Sequence, residues 1–170
     1  MVKGRLLMVS RIAKISLAVG VVLLCLPITG YQQQPPKSAS PTVLINHVAL
    51  HVADLDASVA FYSGVFGLEE IPAAAKGRRW MSLGKGIELH LLGGRTAPVV
   101  DNRSVHLALT SDNLEPIIQR LKVRGVAWTD FAGTQGVVAT ARTDGVRQIF
   151  LRDPDGYWLE VNDALKNTSK

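Results

Sequence analysis

Residues at matched positions in two halves of this chain are of the types that ligate metal ions. The segments "HVALHVADL" (47–55) and "HLALTSDNL" (106–114) align without a gap, His47 on His106. Later in each half comes an apolar-Glu-apolar run, "IELH" (87–90) and "LEVN" (159–162), which sets Glu88 against Glu160. A lone His on an apolar strand is ordinarily a hydrogen-bonded core or edge residue. A lone Glu in a strand ordinarily faces water, because burying an unpaired carboxylate is costly. Here strand alternation puts Glu160 on the face of Trp158 and Asn162, and Glu88 on the face of His90, so neither face is plainly solvent. With the pattern repeated, one metal shared by His47, Glu88, His106 and Glu160 is the economical use of all four. Two imidazoles and two carboxylates without sulfur suit a divalent ion such as Ni, Co, Zn, Mn or Fe(II). His90 faces the same way as Glu88, and is read either as a ligand in its place or as a pocket residue.

The elements that must position these residues also come twice. "TVLINHVALHVA" has the β-branched and apolar character of a strand, and Asp54 then stands where a helix N-cap belongs. Leu55, Val59, Tyr62 and Phe66 recur at helical spacing up to a stop at Gly67. Two strands fit "RRWMSLGKG" and "GIELHLLGG", joined by a turn at Gly84 to Gly86. In the second half "SVHLALTSDNLEPIIQRLKVRGV" predicts a strand, a capped helix and a glycine stop. "AWTDFAGTQGVVATART" follows as a strand and a glycine-rich loop, read as a plain connection or a flexible lid. "VRQIFLRDPDGYWLEVND" predicts a hairpin whose Asp153-Pro154-Asp155-Gly156 turn is structural punctuation.

At 170 residues, 47% of them hydrophobic, the chain suits one domain plus one greasy extra segment. Its only cysteine, Cys25, lies in that segment, which leaves the folded part without a thiolate metal site. The net charge of +5 is concentrated in Lys3, Arg5, Arg11 and Lys14; taking these four from 19 Lys and Arg leaves 15 against 14 Asp and Glu. A near-neutral domain without a basic stripe gives no electrostatic case for a nucleic-acid partner. A basic start followed by "ISLAVGVVLLCLPITG" makes residues 1–30 a signal peptide or an N-terminal membrane anchor, and the protein exported: periplasmic, secreted or held at a membrane by that segment. Leu24 is too bulky for a lipidation site at Cys25. "YQQQPPKSASPT" (31–42) is a solvated linker, and the domain runs over 43–165 in modules 43–95 and 103–165.

With "NHVALHVADLDASVAFYSGVFGL" as opening strand and helix and "DPDGYWLEV" as closing hairpin, residues 43–163 resemble the glyoxalase, bleomycin-resistance and extradiol-dioxygenase superfamily, the vicinal oxygen chelate fold. The resemblance implies an α+β fold in which paired βαβββ modules enclose a metal-binding hollow. The pattern is most similar to glyoxalase I, lactoylglutathione lyase, and carried over by position it implies the ligands His47, Glu88, His106 and Glu160. It also implies Glu160, with Glu88 as partner, as the base that removes a proton next to a carbonyl of a small-molecule substrate, beside an apolar wall at Trp158. An Fe(II) extradiol-type dioxygenase would need only His47, His106 and Glu160, and a metal-free binding protein like the bleomycin-resistance relatives would need none. His51 stands where glyoxalase I enzymes usually have an arginine, and Leu92 near where an asparagine contacts glutathione. Relatives commonly pair or swap modules between chains, which implies a homodimer.

Overall fold

The computed structural model describes residues 42–167. The N-terminal segment 1–30 with Cys25, and all of the linker but Thr42, lie outside the described residues.

Each module starts with a strand, crosses over a helix and returns through three strands. In the first, β1 (His47–Val52) leads to α1 (Leu55–Phe66), then β2 (Glu70–Ile71), β3 (Arg78–Gly84) and β4 (Ile87–Gly93). In the second, β5 (Leu107–Thr110) leads to α2 (Glu115–Val123), then β6 (Trp128–Thr129), β7 (Gln148–Arg152) and β8 (Trp158–Asn162), and a short 3-10 turn, Ala164–Asn167, follows. Each sheet has four strands, in the orders β1-β4-β3-β2 and β5-β8-β7-β6, with the first strand parallel to the last and the other pairings antiparallel. This is the α+β architecture of paired βαβββ modules.

Local chemistry accounts for the helix ends. Asp54, in extended conformation, accepts the amide hydrogens of Asp56 and Ala57 at its Oδ1, an N-cap of the kind that stabilises a helix by about 1 kcal/mol. Gly67 ends α1 in the left-handed region at φ 72°, where its N–H reaches the Ser63 carbonyl. The second helix departs from expectation, since Leu114 holds the N-cap position without a side-chain bond. Asn113, one residue earlier, takes the Glu115 amide instead, and Pro116 sits in the first turn where its missing N–H costs nothing. The two-residue strand β2 is too short to leave a periodic signal and is absent from the sequence reading.

Alternation divides each sheet into a core face and an outer face. Val52, Leu89, Leu91 and Met81 from the first sheet and Leu159, Val161, Ile149 and Leu151 from the second are buried together with Tyr62 and Val65 of α1 and Ile118 and Leu121 of α2. The two helices therefore lie within one apolar core shared by both modules.

The Asp153 to Gly156 turn does more than reverse the chain. Asp155 Oδ1 accepts the Ala53 amide at 2.7 Å and the Arg95 guanidinium at 2.5 Å, and its Oδ2 accepts the Ser58 hydroxyl at 3.2 Å. Asp153 Oδ2 accepts the Tyr62 hydroxyl at 2.9 Å, while its Oδ1 takes the amides of Asp155 and Tyr157. All of the distant partners belong to the first module. Burial pushes the Asp153 carboxyl above its ordinary range, against the lowering effect of the Tyr62 bond. At the other end of the second sheet Asp163, fully buried, is bonded to Arg147 and Lys166 at 2.8 Å each. Burial raises its pKa, but the Lys166 and Arg147 bonds outweigh that and hold it at about 2.

Two outcomes are expected. Asp155→Ala removes a partner of a half-buried guanidinium, an amide and a hydroxyl, and should lower the free energy of unfolding by about 2 kcal/mol in urea melts with an unchanged slope. An Asp163→Asn protein should be less stable than wild type at neutral pH. Because the folded-state pKa is depressed, that stabilisation is present above 3.8 and is lost as pH falls toward about 2, where the two melts should converge.

Candidate functional site

On the outer face of the first sheet, His47 of β1 lies opposite Glu88 of β4, and Ala49 opposite His90. Trp80 of β3 is directly across from His90, and directly opposed residues share a face. Three rings follow in a stack: Trp80 on His90 at 4.1 Å and 2°, and His90 on His47 at 4.1 Å and 9°. His90 Nε2 is 2.7 Å from Glu88 Oε2, and His47 Nδ1 is 2.7 Å from Asn46 Oδ1. Since a carboxylate only accepts, Nε2 of His90 carries the hydrogen and donates it.

The second sheet presents His106, Glu160, Trp158, Asn162 and Phe150. His106 stands one residue before β5 rather than inside it. Its Nδ1 donates to the Arg103 carbonyl at 2.8 Å, and its Nε2 points at Glu160 Oε2 across 3.2 Å. Asn162 donates from Nδ2 to the other Glu160 oxygen at 2.7 Å. Phe150, opposite Glu160 on β7, meets His106 edge to face at 5.5 Å. The Trp158 ring lies between the guanidinium groups of Arg103 and Arg152, at 4.2 and 4.5 Å, and its Nε1 donates to Asp101 at 2.8 Å. Arg103 also donates to the Phe131 carbonyl, which ties the segment before β5 to the loop after β6.

The chemistry of this donor set would suit a cation. With Nδ1–H spent on a carbonyl, a neutral His106 aims its Nε2 lone pair at an oxygen that itself only accepts. Nothing but a proton or a metal ion reconciles two such atoms at 3.2 Å. Each module thus supplies one imidazole and one carboxylate, but the four residues are not brought together within one chain. Among the described residues no three His, Cys, Asp or Glu side chains gather closely enough to hold a metal ion. Val48 and Leu50, on the face opposite His47, line a cavity of about 300 Å³ together with His106 and Trp158. His106 thus shares that cavity with side chains from the face of β1 opposite His47.

The other residues singled out in the sequence have plainer positions. His51 is exposed at the end of β1, its carbonyl accepting the Tyr157 hydroxyl at 3.0 Å, and it pairs with Leu92 of β4. The glycine-rich loop is laced down by bridges from Thr129 to Gln135 and from Ala139 to Gln148. Arg142 of that loop bonds Asp144, which raises its pKa, and Glu160 adds a smaller raising effect. Arg103, Trp80 and Asn162 were not identified from sequence as site residues, because their roles depend on cross-strand and loop contacts that spacing does not report.

Comparison with known proteins places these observations in a family. The model of the Glyoxalase/Bleomycin resistance protein/Dioxygenase superfamily matches residues 44–161. The chain is 30% identical over 128 residues to a lactoylglutathione lyase of Salmonella typhimurium, covering 69% of this chain and 90% of that protein. Among solved structures, Oxidase ChaP-H1 superimposes with a TM-score of 0.58 at 26% identity, over 71% of this chain and 95% of that one. A lactoylglutathione lyase from Agrobacterium tumefaciens does so with a TM-score of 0.54 at 22% identity, over 72% and 95%. With its two βαβββ modules and a His and Glu on the outer face of each, this chain belongs to the glyoxalase, bleomycin-resistance and dioxygenase superfamily.

Proposed function

We propose that the chain is a divalent-metal-dependent lyase or isomerase similar to lactoylglutathione lyase, working as a homodimer. In this reading His47 and Glu88 of one copy and His106 and Glu160 of the other hold the ion. The supporting observation is that each module sets one imidazole beside one carboxylate, while among the described residues no three such side chains gather. Each half-set is complete only if another copy supplies the rest. Apolar Val100 and Val105, exposed just before His106, suit a surface covered by a second chain.

Bound there, a divalent ion would supply Lewis-acid polarisation of a carbonyl oxygen. The chain's own residues would do the proton work. Glu160, buried and oriented by the Asn162 amide, is the group that takes a proton from the carbon beside the carbonyl. Trp158 and Phe150 exclude water from it, and a placed carboxylate base typically contributes about 10² to 10⁴ in rate. His51 and Leu92, in place of the arginine and asparagine expected for a glutathione site, favour a small carbonyl substrate with fewer charged anchors than glutathione provides.

A second reading, an Fe(II) ring-cleaving dioxygenase, draws support from the Trp80, His90 and His47 stack, which offers aromatic surface beside the site, and from the likeness to an oxidase. Metal analysis, sedimentation and turnover separate the two. The lyase reading expects a dimer with about one divalent ion per chain, conversion of the methylglyoxal–glutathione hemithioacetal or a related hydroxy-carbonyl compound, and a loss of at least about 100-fold in kcat for Glu160→Gln. Oxygen uptake with a catechol that survives Glu88→Gln would transfer the assignment to the dioxygenase. A monomer that stays empty after metal loading would remove both.

We also infer that residues 1–30 direct export, to the periplasm or beyond the cell, or tether the chain to a membrane, from their basic start and apolar run. Cell fractionation should find the protein outside the cytosol; a cytosolic pool alone would refute this.

A further inference from the structure

The two modules hold their carboxylates by the same device. Glu88 is followed two residues later by His90 and Glu160 two residues later by Asn162, each pair on one face of a final strand. His90 Nε2 reaches Glu88 Oε2 at 2.7 Å, and Asn162 Nδ2 reaches Glu160 Oε1 at 2.7 Å. The Asn162 amide is oriented by its own oxygen, which accepts the Ala164 N–H at 3.2 Å. The His90 ring is fixed by packing, with Trp80 on one face and His47 on the other. Thus His90 touches both first-module ligands at once, one through a hydrogen bond and one through a ring face.

We propose that His90 and Asn162 are matched positioning residues, each fixing which oxygen of the preceding glutamate is left to a cation, and that His90 is not itself a ligand. The inference rests on the metal-dependent reading above. A hydrogen bond to one carboxylate oxygen stops the group from rotating and leaves the other oxygen as the donor atom. In the second module the remaining oxygen, Oε2, is the one that faces His106. In the first, the stack holds the His47 ring beside Glu88 while the His90 bond sets the carboxylate plane. Asn162 performs its task with no ring nitrogen to offer a metal, so the shared role of this position is donation of a hydrogen.

Module exchange tests this directly. The full chain, stripped of metal and titrated with Co(II), should bind the ion in wild type, and His90→Asn, which installs the second module's solution, should bind within about threefold of it. His90→Phe, which keeps a stacking ring and removes the donor, should weaken Co(II) by about 10- to 100-fold, with the visible spectrum of the remaining complex changed and the urea midpoint nearly unmoved. Asn162→Leu should weaken it in the same range, and carries the test if His90→Phe does not fold. Co(II) binding by His90→Phe and Asn162→Leu at wild-type strength would overturn the proposal alone. So would a His90→Asn protein as weak as His90→Phe, the result expected of a true ligand. A wild-type chain that takes up no Co(II) would overturn the metal-dependent reading along with it.

Discussion

The relation between the two modules depends on one buried carboxylate. Asp155 stands at the tip of the β7–β8 turn and is satisfied only by groups of the first module: a guanidinium, an amide and a hydroxyl. A buried charge tolerates no loose arrangement, because any tilt that lengthens these bonds leaves it unpaired in a medium that solvates it poorly. The Tyr62 to Asp153 bond adds a second point of attachment, and two points define an angle as one does not. Strand β8 begins two residues after the turn, so the placement of Trp158 and Glu160 relative to the first module follows from this joint. The shared apolar core fills in behind it with no directional preference of its own.

Much of this was legible in the sequence, and what was not has a common physical origin. The cap at Asp54, the stop at Gly67, the hairpin at Gly156 and the shared faces of Glu88 with His90 and Glu160 with Trp158 are local, decided by a few neighbouring dihedral angles and by a period of two. Strand β2 was missed because its two residues carry no period and, unlike Trp128 and Thr129 of the equally short β6, are not both β-formers. The second role of the Asp153 to Gly156 turn was missed because Asp155 and its Ala53 partner are distant in sequence, and a turn motif reads the same whether its carboxylates point at water or at another module. For the same reason the repeat identified His47, Glu88, His106 and Glu160 but not their separation into two pairs. How the two pairs stand relative to one another depends on contacts between residues distant in sequence, which spacing does not report.

The repeat itself is looser than its sequence implies. His47 lies opposite Glu88, whereas the residue opposite Glu160 is Ala108, two positions beyond His106. A slip of two residues is the smallest that keeps every side chain on its original face, so duplicated modules can drift by that amount without turning an outer-face residue into the core. The drift must then be absorbed by whatever holds the histidine. In the first module the imidazole lies inside the ladder and is steadied by a ring stack; in the second it lies just ahead of the strand and is steadied by the Arg103 carbonyl, with Arg103 in turn anchored on Trp158 and the Phe131 carbonyl. What survived duplication is the face and the residue type, together with a donor two residues after each glutamate. The supporting contacts differ because each half settled its own register. A search for chemistry in such a fold is therefore better guided by which residues share a face than by which residues align.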